Sequence, residues 1–408
     1  MALVVHPAFP DALQDASAAY KSGDYATAVK LLRPLAESGD EYAQQHLGFL
    51  YEKGHGVPQD YAEAVKWYRL AAEQGNREAI FDMGTMYSEG WGVPKDEKAA
   101  AAWYRDAANL ALPKAQFIYG YMVQHGQGVS QDYPEAAKLY RYAAEQGYAP
   151  AQNALAVAFI KGLGVPKDYA EAFKWSGRAA SQGNADGQNT LGTLYLKGHG
   201  VPRDYKEAMK LFRQAAAHGN QAAPTNIGGM YYFGEGVPQD YVEAAKWYRK
   251  AADLADAEGQ FDLGVMYANG LGVPKDDGEA AKWYRKAADQ GYADAQDNLA
   301  RMYLDGSGVP KDYAEAAKWC RRAAERGYAP AQHNFGVMHA NGEGVPKDLK
   351  LALMWTLLAI ASYTDDQKHE RAQARQNRIL YANAMTLAQV VEAERMARDW
   401  KPKVSESE

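Results

Sequence analysis

The stretch Ala43-Gln44-Gln45-His46-Leu47-Gly48-Phe49-Leu50-Tyr51-Glu52-Lys53-Gly54-His55-Gly56-Val57-Pro58-Gln59-Asp60-Tyr61-Ala62-Glu63-Ala64 contains the break between two helices. Ala43, Leu47, Leu50 and Tyr51 share one face at helical spacing, and Gly48 is small where a partner helix must approach closely. Gly54 and Gly56 end this helix, because glycine accepts the left-handed conformation common at helix C-termini, and Pro58 forbids continuation. Asp60 opens the second helix, its carboxylate placed to accept from the free amides of the first turn, and Glu63 follows at capping-box spacing. Tyr61, Ala64, Tyr68 and Ala71 form its apolar stripe, and Gly75 closes the unit.

This unit recurs every 36 residues. The motif Gly-x-Gly-Val-Pro ends at Pro58, Pro94, Pro166, Pro202, Pro238, Pro274, Pro310 and Pro346, and Ser130 fills the single gap. The capping pair returns at Asp132/Glu135, Asp168/Glu171, Asp204/Glu207, Asp240/Glu243, Asp276/Glu279 and Asp312/Glu315. Independent globular domains do not hold such a register, whereas a stacked array does. Two short helices cannot bury their apolar faces alone, so neighbours must stack. The departures are local. Ala111 and Ala255 replace the closing glycine, Pro224 falls inside a first helix, and Ala99 stands where Asp96 would have its Glu. They point to changes in superhelical angle rather than to broken repeats.

The repeated pattern Ala-Gln-x-x-Leu-Gly-x-Met-Tyr-x-x-Gly-x-Gly-Val-Pro-x-Asp-Tyr-x-Glu-Ala-x-Lys-Trp-Tyr-Arg resembles the Sel1-like repeat, a relative of the tetratricopeptide repeat. Nine in-phase copies span residues 40–363. Residues 11–39 resemble a tetratricopeptide-like N-terminal cap, with Tyr20-Lys21-Ser22-Gly23-Asp24 as its turn. Residues 364–400 read as a helical C-terminal cap, 1–10 as an N-terminal segment that could be a leader remnant, and 401–408 as a flexible tail. The fold expected is an all-α, right-handed superhelical solenoid of helix–turn–helix repeats. The resemblance implies a non-enzymatic protein–protein interaction scaffold or adaptor, in bacterial complex assembly, signalling or envelope and host-contact processes.

Composition narrows the function further. The chain has 408 residues, a formal net charge of −6 and 47% hydrophobic residues, which is not a disordered composition. No region is dominated by Lys and Arg, so nucleic acid is not the expected partner. The longest apolar stretch, Leu351 to Ala361, is about half a membrane span and reads as a core helix. Neither membrane insertion nor a lipid anchor is expected. As written the chain reads as cytoplasmic, with a periplasmic or secreted alternative if a leader was removed.

Chemical motifs dissolve under the period. Gly54-His55-Gly56 and its copies follow a helix rather than a strand and lack the lysine of a phosphate loop. Trp67, Trp103, Trp175, Trp247, Trp283, Trp319 and Trp355 share one repeat position with Leu139 and Leu211, and a position that accepts leucine is a packing position. The nine histidines show no metal-ligand spacing, and Cys320 stands where other copies have tyrosine, as a buried, inert thiol would. No catalytic residue, metal or cofactor is expected. Disulfide-bonded, cysteine-rich relatives are linked to β-lactam binding or hydrolysis. An envelope-associated enzyme or ligand-binding protein acting on peptidoglycan-like or β-lactam compounds is therefore the alternative, but the paired cysteines that would support it are absent here.

The resemblance places first helices along the concave face, where residues that vary between copies at i, i+4 and i+7 would meet a protein or peptide partner. Phe49, Phe81, Phe117 and Tyr121 would form a contiguous aromatic patch, or else pack between successive first helices. Thr85, Gln124, Asn153, Asn189, Tyr232, Phe261 and Arg301 continue the row, whose last two sets are Asp297/Arg301/Leu304 and His333/Val337/Ala340. Trp91, the one large aromatic at the variable turn position, is either a contact on a loop ridge or tucked onto its neighbour.

Overall fold

The computed structural model describes residues 11–403; the segment 1–10 and residues 404–408 lie outside them. Among the described residues, 22 α-helices fall into two compact units, one ending at Asp204 and one beginning at Tyr205. The first unit holds α1 (Asp11–Lys21), α2 (Tyr25–Glu37), α3 (Glu41–Lys53), α4 (Tyr61–Glu73), α5 (Arg77–Glu89), α6 (Glu97–Asn109), α7 (Pro113–His125), α8 (Tyr133–Glu145), α9 (Ala149–Lys161), α10 (Tyr169–Ser181) and α11 (Ala185–Lys197). The second holds α12 (Tyr205–Ala217), α13 (Ala223–Phe233), α14 (Tyr241–Asp253), α15 (Ala257–Asn269), α16 (Asp277–Asp289), α17 (Ala293–Asp305), α18 (Tyr313–Glu325), α19 (Ala329–Asn341), α20 (Leu349–Ser362), α21 (Lys368–Asn383) and α22 (Leu387–Asp399). Within each unit each helix packs on the next, except that α21 and α22 both pack on α20, giving an all-α solenoid of paired helices.

Capping explains the pairs. The α3 helix ends in a left-handed Gly54, whose N–H donates to the Leu50 carbonyl. Asp60 then caps α4, accepting from the amides of Ala62 at 2.9 Å and Glu63 at 3.0 Å. Glu63 does not return the bond. The Asp60 N–H already donates to the Tyr51 carbonyl at 3.0 Å, so Glu63 faces Lys66 instead, at 3.3 Å. The reciprocal capping box occurs at Thr386 and Gln389, ahead of α22.

The second glycine of each turn joins one repeat to the one before. A Cβ on Gly92 would lie 2.4 Å from the Tyr61 carbonyl oxygen, and one on Gly308 would lie 2.1 Å from that of Asp277. The residue between the glycines stacks across the same junction: His55 on Tyr25 at 4.3 Å, Trp91 on Tyr61 at 5.2 Å, and His199 on Tyr169 at 4.2 Å.

Buried glutamines form a second ladder. Gln44 donates to the Ala36 carbonyl at 3.0 Å and accepts from Gln74 at 2.8 Å. The arrangement returns at Gln116/Gln146, Gln152/Gln182 and Gln260/Gln290. Where the first glutamine is missing, at Ile80 and Pro224, the second position holds Leu110 and Leu254. Those two repeats are also the ones whose closing glycine is alanine, and Ala111 and Ala255 keep the left-handed backbone at φ 57° and 62°. Pro224 leaves its helix in place; α13 simply starts later and is two residues shorter than its counterparts.

Trp67, Trp175, Trp283, Trp319 and Trp355 are buried with Leu139 and Leu211, while Trp103 and Trp247 are half-buried. The apolar stretch from Leu351 lies in α20, covered by α21 and α22, and Trp355 meets Trp400 edge-on at 5.9 Å. Lys403 donates from both its backbone and its ammonium to Glu325, each at 2.8 Å. No helix among the described residues is long and apolar enough to cross a membrane.

Candidate interaction surface

The variable positions fall in the first helix of each pair: α3, α5, α7, α9 and α11 in the first unit, and α13, α15, α17 and α19 in the second. The phenylalanines there are half-buried rather than free. Phe49 meets Tyr20 edge-on at 6.0 Å, Phe81 lies 5.1 Å from Tyr104, and Phe117 contacts Tyr140 at 5.9 Å and Tyr148 at 5.7 Å. Phe261 sits likewise between Tyr284 and Tyr292. Tyr121 is 43% exposed and packs on His125 one turn later. Tyr232 is half-buried beside Tyr241, and Trp91 is half-buried on Tyr61.

The polar members of the row are partly engaged. Thr85 accepts from the Tyr104 hydroxyl at 3.2 Å, and Gln124 contacts His125 at 3.3 Å. The carbonyl of Asn189 accepts from Thr193 at 3.0 Å. The buried Oδ1 of Asn153 has no hydrogen-bond partner among the described residues.

Two buried carboxylates lie in the first unit, Glu52 within this row, at the last variable position of α3, and Asp82 beside it, which the spacing argument passed over. The Tyr68 hydroxyl donates to Glu52 at 2.7 Å, and the Gln45 amide donates to Asp82 at 2.6 Å. Burial pushes the Asp82 carboxyl up to about 7, against the opposing pull of Lys114 and the Gln45 hydrogen bond. Lys114 itself pairs with Glu78 at 2.6 Å and sits 4.1 Å above the Phe81 ring. In the second unit burial raises Asp262 to about 7, and the neighbouring Glu258, Asp256 and Asp294 add to that shift.

An open pocket of about 540 Å³ lies between α17, α19 and the start of α21. Asp297, Arg301 and Leu304 line it from α17 and His333 from α19, so it gathers one whole variable set and the first member of the next. Tyr363 joins them from the end of the last repeat, and Glu370 comes from the cap, which no repeat position could have indicated. His333 is fixed by Asn377 at 2.9 Å and by the Tyr363 hydroxyl at 3.4 Å, and burial lowers its pKa. Among the described residues no group of three His, Cys, Asp or Glu is arranged to hold a metal ion. The Cys320 thiol is buried, donates to the Ala331 carbonyl at 3.2 Å, and is pushed well up by burial.

Comparison with known proteins agrees with this architecture. The Sel1 repeat model matches residues 41–76, 77–112, 113–148, 149–184, 185–220, 225–256, 257–292, 293–328 and 329–362. A Sel1 repeat protein from Oxalobacter formigenes is 35% identical, over 71% of this chain and 86% of that one, with a TM-score of 0.53. A protective antigen present in uropathogenic Escherichia coli strains is 31% identical over 91% of this chain and 94% of its own, with a TM-score of 0.42. None of the curated proteins matches the chain.

Proposed function

The chain belongs to the Sel1 repeat family, and on that premise we propose that it is a scaffold that holds a protein or peptide along its first-helix face during assembly of a protein complex. The fold is typical of protein–protein interaction scaffolds, but fold alone is an analogy. The observation that carries the reading is chemical. Positions that packing does not dictate hold Tyr121, Gln124, Asn153 and Arg301 in the first helices α7, α9 and α17, whereas the capping aspartates and the turn glycines repeat almost unchanged. Variation along that row, beside an almost unchanged capping pattern, is what selection for a particular partner leaves behind. Rim-exposed Tyr and Arg are also residue types enriched where partners bind.

The test is capture from a lysate of the native organism, followed by hydrogen exchange on the reconstituted complex. Slowed exchange in the first helices, with the second helices unchanged, is the expected result. Protection confined to the second helices, or no protein retained, overturns the reading.

A further inference from the structure

The pocket at the C-terminal end of the second unit allows the partner's chemistry to be narrowed, granted the scaffold reading above. Three carboxylates, Asp297, Asp305 and Glu370, face one guanidinium, Arg301, around its lining. Asp297 is 7% exposed and accepts a hydrogen bond from the neutral Asn334 amide at 2.8 Å. Its second oxygen has no partner among the described residues. Asp305 and Glu370 are exposed at the mouth, with neither an ion pair nor a hydrogen bond among the described residues. The charge of the surrounding face has the same sign. The first helices of this unit carry Glu258, Asp262, Asp294, Asp297 and Asp305 against Arg301 alone, while Lys246, Lys282 and Lys318 project from the second helices α14, α16 and α18.

We propose that this pocket seats a basic side chain, lysine or arginine, of the extended peptide held on the first-helix face. Asp305 and Glu370 meet the cationic head at the mouth. Leu304 and Tyr363 flank its aliphatic stem, and the free oxygen of Asp297 completes the seat. His333, pinned by Asn377 and Tyr363, keeps the floor rigid. Burial and Asp294 raise the Asp297 carboxyl against the pull of Asn334 and Arg301, and a further cation beside it favours the charged form. The volume exceeds one side chain, which leaves room for the flanking backbone.

The test is selection of a displayed random-peptide library on the full chain, with the selected peptides then synthesised and titrated. Enrichment of Lys or Arg at one peptide position is expected. Binding should weaken about tenfold with Asp305→Asn/Glu370→Gln, or with Gln at that peptide position, and should not weaken further when both changes are combined. The two substituted residues are exposed, and an unchanged melting temperature confirms the fold. Peptides that lack a basic preference, or that bind the double variant equally well, overturn the seat while leaving the scaffold reading intact. Enrichment of Asp or Glu overturns it in favour of Arg301 as an anion contact. Failure to select any peptide overturns the seat together with the peptide form of the scaffold reading.

Discussion

A Cβ added to Gly48 would lie 2.8 Å from a ring carbon of Tyr68, so this glycine is the space the tyrosine ring occupies. Gly84 and Tyr104, Gly120 and Tyr140, and Gly264 and Tyr284 repeat the contact. Three copies lose the aromatic ring: one keeps its glycine, Gly336, opposite Thr356, and the other two change at both positions together. Ala156 and Ala300 stand at the glycine position, and Ser176 and Cys320 at the tyrosine position. The single cysteine is thus a small residue fitted opposite a methyl group, buried at 0% exposure.

Restoring the tyrosine without restoring the glycine should overpack this site. Cys320→Tyr is expected to cost about 1–3 kcal/mol. Adding Ala300→Gly should recover a large part of that loss, although glycine inside a helix itself costs about 1 kcal/mol. Urea unfolding of the two single variants and the double variant measures the coupling. Additive effects would show that the two positions do not share space.

The glycines of one turn should differ sharply in their tolerance of alanine. Gly162 and Gly164 are both left-handed, at φ +74° and +71°. A Cβ on Gly162 meets nothing closer than 3.7 Å, whereas one on Gly164 would sit 2.0 Å from the Tyr133 carbonyl oxygen. Gly162→Ala should cost about 1–2 kcal/mol, the strain of a left-handed alanine. Gly164→Ala should cost clearly more, because it forces two repeats apart, and unfolding should lose cooperativity there. Equal costs, read from thermal melts, would mean that the junction contact contributes nothing.

Much of this was legible in the sequence because it is local. Gly54, Pro58 and Asp60 end one helix and start the next by their own backbone chemistry, and the period then fixes the stacking. The Gly48–Tyr68 and Ala300–Cys320 pairings were also in the sequence, as joint changes at two repeat positions that single-position comparison passes over. The pocket was not legible. It depends on the start of α21 bringing Glu370 to the same space as α17 and α19, and that cap helix has no repeat to be aligned with. The capping-box expectation at Glu63 failed for a similar reason: the Asp60 amide is taken by Tyr51, nine residues back, outside the local motif.

The glutamine ladder predicts a paired effect. Gln152 is buried and bridges the Ala144 carbonyl and the Gln182 amide. Gln152→Ile should cost about 1–2 kcal/mol by stranding those polar groups. Gln182→Leu in the same chain should restore part of the loss, by recreating the apolar Ile80/Leu110 pair found one repeat earlier than Gln116. A double variant no more stable than Gln152→Ile alone, by chemical denaturation, would remove the pairing argument.

The buried carboxylate of the first unit sets a pH dependence whose sign can be worked out. Asp82 ordinarily ionises at 3.8, and burial raises it to about 7 in the folded chain. Between those values the native state holds a proton that the unfolded state releases, so Asp82 makes stability fall as pH rises through that window. The penalty is complete above about 7. Asp82→Asn keeps an oxygen for the Gln45 amide and removes the charge, so it should be more stable than the parent by about 1–2 kcal/mol near pH 8. That difference should shrink towards zero as the pH approaches about 4. Burial also lowers His46 to about 4, which acts in the opposite direction: stability is lost as pH falls from 6.5 towards that value. Both chains carry His46, so its contribution cancels when variant and parent are compared at each pH. A stability difference that stays constant across the range would place the effect of Asp82→Asn in packing rather than in the proton.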